Sequence, residues 1–152
     1  VFRELKISPD EIRRQTKRMP PEEAPDAALA RLARRSVLPR ILLRLEGAAL
    51  FAAAIALYAD AGWSWLAFVG LLIAPDISLV GYALNPRLGA YLYNAVHFLA
   101  VPVALGTTAL LAGWSPGTQI ALVWVAHIGI DRAFGLGLKY PDSARDTHLQ
   151  RL

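Results

Sequence analysis

Four apolar stretches, 41–59, 63–84, 88–112 and 115–138, take up most of the last two-thirds of this 152-residue chain. Each has roughly the 17–25 residues that a helix needs to cross about 30 Å of hydrocarbon. The breaks between them are short and turn-forming: Asp60-Ala61-Gly62, Asn85-Pro86-Arg87, and Gly113 to Gly117. A chain this short cannot wrap four apolar helices in polar ones, so the expected fold class is all-α, a four-helix transmembrane bundle with an extra-membrane helical N-terminal arm. Composition agrees: 55% of residues are hydrophobic and 18% charged, against about 45–50% and 25% in an ordinary soluble domain. With no Cys, a disulfide framework, zinc ribbon or thiol nucleophile is excluded.

The charge distribution orients the bundle. Residues 1–44 carry eleven Lys/Arg against six Asp/Glu, and residues 45–152 carry five against six, so the basic excess precedes the apolar part. That is a cytoplasmic flank rather than a nucleic-acid patch. Arg34, Arg35 and Arg40 precede the first stretch, Arg87 lies in the second loop, and Lys139, Arg145 and Arg151 follow the fourth; the first and third loops have no Lys or Arg. The expectation is a multi-pass membrane protein with both termini cytoplasmic. Trp63, Trp65 and Trp114 then fall at the outer interface, and no cleavable signal peptide is expected.

Two domains are expected: 1–40, a cytoplasmic helical arm, and 41–152, the transmembrane domain with a short cytoplasmic tail. Ser8-Pro9-Asp10-Glu11 is a helix start, Met19-Pro20-Pro21 ends that helix, and Asp26 caps a second over 27–36. Such an arm either lies on the membrane surface or docks a protein partner.

Ionisable residues inside spans are expensive and are functional candidates by default. At about 1.5 Å rise per residue, Glu46, Asp76, Asn94, His97, His127 and Asp131 fall in one layer, roughly 9–18 Å from the cytoplasmic boundary. The other half offers Thr107, Thr108, Ser115 and Gln119. His127 and Asp131 are i, i+4 and Asn94 and His97 are i, i+3, so each pair shares a helix face. Gly129, Ala133 and Gly137 let the fourth helix approach a neighbour, and Pro75 frees a carbonyl beside Asp76. The candidate pocket is Glu46, Asp76, Asn94, His97, His127, Asp131, Arg132 and His148. Asp146-Thr147-His148 either folds back over its mouth, with Arg132 and Lys139 as anion contacts, or forms a C-terminal cap in which Arg132 and Lys139 snorkel to headgroups. His97, His127, Asp131 and Asp76 form a plausible ligand set for a divalent metal; the alternatives are hydrogen bonding among themselves, or His ligation of a haem or chlorophyll. Ser78 near Asp76 is a weak nucleophile candidate, since hydroxyls in spans usually bond back to their own helix.

Leu45-Glu46, Ala74-Pro75-Asp76, Gly81-Tyr82, Gly89, Tyr93-Asn94 with His97, Ala126-His127, Asp131-Arg132, Gly135-x-Gly-Leu-Lys-Tyr140, Pro141-Asp142-Ser143 and Thr147-His148-Leu149 recur in that order in a known family. From about residue 43 to 152 the chain resembles this domain-of-unknown-function family of small four-helix bacterial membrane proteins. The resemblance implies the fold and a place in the bacterial inner (cytoplasmic) membrane, and it locates a site without naming a reaction. This chain has Leu136 where the family has Tyr, Ala144 where it has an aromatic residue, and the first forty residues as an addition. Those departures favour an accessory or docking subunit of a larger membrane assembly. The density of ionisable groups favours a membrane-embedded metal-dependent enzyme acting on a lipidic or amphiphilic substrate.

Overall fold

A computed structural model of the chain describes residues 10, 25–141 and 143–149, with side chains described for residues 10, 37–141 and 147–149. The helix expected between Ser8 and Met19 lies outside the described residues. The chain divides into two units, Val1–Arg35 and Ser36–Leu152, and the second carries every side chain discussed below.

Helix α1, Pro25–Asp60, continues through Pro39, so the separate helix expected over 27–36 is part of it. Gly62, at φ 67°, turns the chain. The Ser64 side chain caps α2, Trp65–Ile73, by accepting from the Ala67 N–H at 3.4 Å.

The second apolar stretch is not one α-helix. At Ala74 it tightens into a 3₁₀ helix that lasts to Ala83. Pro75 cannot supply the N–H that an α-helical turn needs there, and ten residues is long for a 3₁₀ run. Asn85 then caps α3, Pro86–His97, accepting from the Leu88 N–H at 2.8 Å, with Pro86 in the first turn.

The third stretch also breaks. Phe98 is extended, at ψ 109°, and α4, Ala100–Leu111, starts afresh. A continuous helix would drive the Pro102 ring into the Phe98 carbonyl. The break leaves His97 as the last residue of α3.

Helix α5, Ser115–Phe134, ends at Gly135, whose φ of 85° forms a left-handed cap; Gly135 N–H and Leu136 N–H donate to the Arg132 and Asp131 carbonyls. The fourth apolar stretch therefore stops as helix short of residue 138. Beyond it a small antiparallel hairpin pairs β1, Lys139–Tyr140, with β2, Ser143–Thr147.

Helix α5 is the central element, burying Ala121, Val123, Ala126, His127, Ile128 and Gly129. It meets α1 backbone to backbone: a Cβ on Gly129 would lie 2.8 Å from the Phe51 nitrogen, and one on Gly47 would lie 2.8 Å from the Ala133 nitrogen. This is small-residue packing of the kind that joins helices in lipid, where no hydrophobic drive acts between them. Tyr58, Ala54, Phe68, Val123 and Ala126 make the main apolar core.

Among the described residues, three helical stretches, Val37–Asp60, Trp65–Ala83 and Pro86–Leu111, are long and apolar enough to cross a membrane. Helix α5, at 20 residues, has the length but carries Gln119, His127, Asp131 and Arg132, which lower its mean hydropathy. Around the bundle, large aliphatic side chains face outward, among them Leu66 at 85% and Leu111 at 83% exposure. In water such a surface would be an aggregation hazard; it is compatible with contact with a lipid bilayer.

Candidate functional site

The site is assembled from three elements. The 3₁₀ helix supplies Asp76, α3 supplies Tyr93 and His97, and α5 supplies His127 and Asp131. Both rings are buried, with His97 and His127 each 4% exposed. The His97 and His127 Nε2 atoms are 3.0 Å apart. Asp76 Oδ1 lies 3.8 Å from His97 Nε2 and 3.7 Å from His127 Nε2; Asp131 Oδ2 lies 3.7 and 3.8 Å from the same two atoms. Ligand atoms of Asp76, His97 and His127 all fall within 4.8 Å of one another. The two carboxylates are unequal: the Asp131 side chain is 18% exposed and the Asp76 side chain 45%.

The outer nitrogens of the rings are also held. His97 Nδ1 lies 2.9 Å from the Tyr93 carbonyl oxygen, and His127 Nδ1 lies 2.6 Å from the Leu72 carbonyl oxygen. A carbonyl only accepts, so each neutral ring donates Nδ1–H outward and turns its Nε2 lone pair to the centre. Tyr93 braces the cluster twice more. Its hydroxyl donates to Asp131 Oδ2 at 3.1 Å, and its ring stacks on His97 with centroids 3.7 Å apart.

The remaining candidates take other places. Glu46 is exposed on α1 and is not part of the cluster; a helix depth of roughly 9 Å fixes its height, not its direction. Asn94 docks the tail instead: its Nδ2 donates to the Lys139 carbonyl at 2.8 Å and its Oδ1 accepts from the Lys139 N–H at 2.7 Å. His148 takes the fold-back arrangement, one of the two the sequence left open. Its Nδ1 accepts from the Leu138 N–H at 2.9 Å, and its ring sits where a Gly137 Cβ would be. Together with Arg132, it lines a slot of about 10 Å³ shared with His97 and Asp131, near the room one water needs.

The Lys139 ammonium stacks over the Tyr93 and Tyr82 rings, at 4.3 and 5.2 Å from their centroids. Burial pulls it below the ordinary lysine range, while Asp131 and Asp76 oppose that shift. Ser78 donates to the Pro75 carbonyl at 2.7 Å, and Thr107 and Thr108 bond back to α4. Sequence reasoning missed Tyr93 and the Leu72 carbonyl as parts of the site. The four-residue spacing from Tyr93 to His97 was a usable signal; the carbonyl, 55 residues from His127, left none.

Fold and site together define a helical protein with membrane-span-like helices, a small C-terminal hairpin, and a cluster of two buried histidines with two partly exposed aspartates. The chain belongs to the family described as a domain of unknown function, DUF4260, whose sequence model matches residues 40–152. No curated protein and no solved structure matches the chain.

Proposed function

We propose that this chain is an integral membrane protein that holds one divalent transition-metal ion among His97, His127, Asp76 and Asp131. The observation that carries this reading is the pair of inward-facing Nε2 lone pairs 3.0 Å apart, with two carboxylate oxygens 3.7–3.8 Å from them. Asp76, His97 and His127 bring ligand atoms within 4.8 Å of one another, and lone pairs converging in an apolar bundle repel one another unless a cation or a shared proton lies among them. Two imidazole nitrogens bound at about 2.0–2.1 Å and subtending about 90° stand about 3 Å apart. A dication also balances both carboxylates, which makes the buried site neutral.

Imidazole with carboxylate suits zinc, iron or manganese, and Nδ1–H donated to a carbonyl is the usual way a metal-bound His is oriented. Bound there, such an ion supplies Lewis-acid chemistry and an activated water. A haem held by both rings would need their nitrogens on opposite faces, about 4 Å apart, farther than these.

The second reading, an accessory subunit docked by residues 1–40, has the added arm in its favour and treats the cluster as hydrogen-bonded glue. It requires one proton shared between the two Nε2 atoms. In either case the basic residues Arg40, Arg87 and Lys139 support a multi-pass membrane protein with both termini in the cytoplasm.

Metal analysis of the full chain, purified in mild detergent without chelator, tests the proposal. About one equivalent is expected in the wild type, and at least a tenfold lower content in His97→Gln and in His127→Gln. Absence of stoichiometric metal, with both variants melting as the wild type does, would leave the shared proton as the account of the cluster.

A further inference from the structure

Beside the cluster lies an apolar groove of about 200 Å³, lined by Leu71, Ala74, Pro75, Val96, Ile120 and Trp124. Its walls come from the same segments that build the site. Pro75 precedes Asp76, Val96 precedes His97, Trp124 is three residues before His127, and Leu71 precedes the residue whose carbonyl orients His127. The Trp124 indole N–H donates to the Val96 carbonyl at 2.7 Å, which ties α5 to the end of α3 where the two walls meet.

Asp76 sits on a face that is otherwise aliphatic and outward: Ile73, Ile77 and Val80 are each more than 60% exposed. A carboxylate left 45% exposed there is costly in hydrocarbon unless something polar meets it. Asp76 follows directly on Ala74 and Pro75, which line the groove, within the 3₁₀ segment that begins at Ala74.

Resting on the metal reading above, we infer that the site takes a single-chain amphiphile from the bilayer. Its alkyl chain lies in the groove between Ala74 and Ile120, and its oxygen-bearing head reaches the metal past the exposed edge of Asp76. The groove carries hydrocarbon and the cluster carries the polar contact, so recognition needs both parts in one molecule. A free polar head binds the metal alone and gains nothing from the groove.

Alkyl hydroxamates probe this directly, because the head chelates metal and the chain length can be varied. The full chain, loaded with Co²⁺ in a neutral detergent, is titrated with acetohydroxamate and octanohydroxamate, and the visible cobalt spectrum is read against free probe concentration. Octanohydroxamate is expected to bind at least tenfold tighter than acetohydroxamate. Ala74→Phe, which fills the groove from the 3₁₀ side, is expected to erase that advantage while cobalt content and acetohydroxamate affinity stay as in the wild type. Ile120→Trp does the same from α5, should the first variant fold poorly. Normal cobalt uptake with affinity blind to chain length, or a chain-length advantage that survives both substitutions, overturns this inference alone. Failure to take up cobalt overturns the metal reading together with it.

Discussion

Two polar networks cross the bundle, and they are built to opposite rules. Around Tyr58 every group has a complementary partner. The phenol donates to the Ser64 carbonyl at 2.7 Å and accepts from the Gln119 amide at 2.8 Å, inside a cage of Trp63, Trp65 and Phe68 rings. Around His97 and His127 the outer nitrogens are just as well paired, but the inner ones are acceptors aimed at acceptors. The first network needs nothing else and fixes where α1, α2 and α5 meet. On the metal reading proposed above, the second is completed by a cation. Polar residues inside a membrane bundle therefore divide by the sense of their hydrogen bonds, not by their cost.

Substitutions should separate the two networks. The largest effect is expected from His97→Ala and His127→Ala. Each removes a ligand, and metal affinity measured by competition with a chelator should fall by more than the roughly 10–100-fold that loss of a supporting partner costs. Gly129→Leu sharpens the comparison from the side of the scaffold. With the Phe51 nitrogen 2.8 Å from any Cβ, α1 and α5 must separate, and the yield of folded protein in detergent should drop severely.

Tyr93→Phe deletes the hydroxyl that donates to Asp131 but keeps the ring stacked on His97. Metal affinity should fall about tenfold with little change in melting. Tyr58→Phe is the mirror experiment: a loss of about 1 kcal/mol in stability and unchanged metal content. Thr107→Val, which only frees a carbonyl of its own helix, should move neither quantity.

Lys139 gives a small pH effect of defined sign. Burial lowers its pKa in the folded protein, so the folded state binds fewer protons than the unfolded chain as pH approaches the usual lysine value of about 10.4. Stability should therefore rise with pH in that alkaline window, and Lys139→Met should remove the rise.

Much of this was legible in the sequence. The apolar lengths and turn residues located the helices, and the heights of Asp76, His97, His127 and Asp131 put them in one layer. Height along a helix is a one-dimensional quantity, and direction around it is not. Glu46 has the right height and points away. Asn94 shares a face with His97 only loosely and serves the tail instead. The break after His97 and the ten-residue 3₁₀ run were signalled by Pro102 and Pro75, but what a proline does to a helix depends on what its neighbours can satisfy. The orientation of the rings was hidden altogether, because it depends on the Leu72 and Tyr93 carbonyls and so on the finished packing.

The most direct test of the central claim is ¹⁵N NMR of the histidine rings in the full chain, with zinc and after chelation. Both His97 and His127 are expected to keep Nδ1 protonated throughout, and both Nε2 resonances are expected to shift on zinc binding. A spectrum that ignores zinc, with one proton shared between the two Nε2 atoms or one ring carrying two, would contradict it.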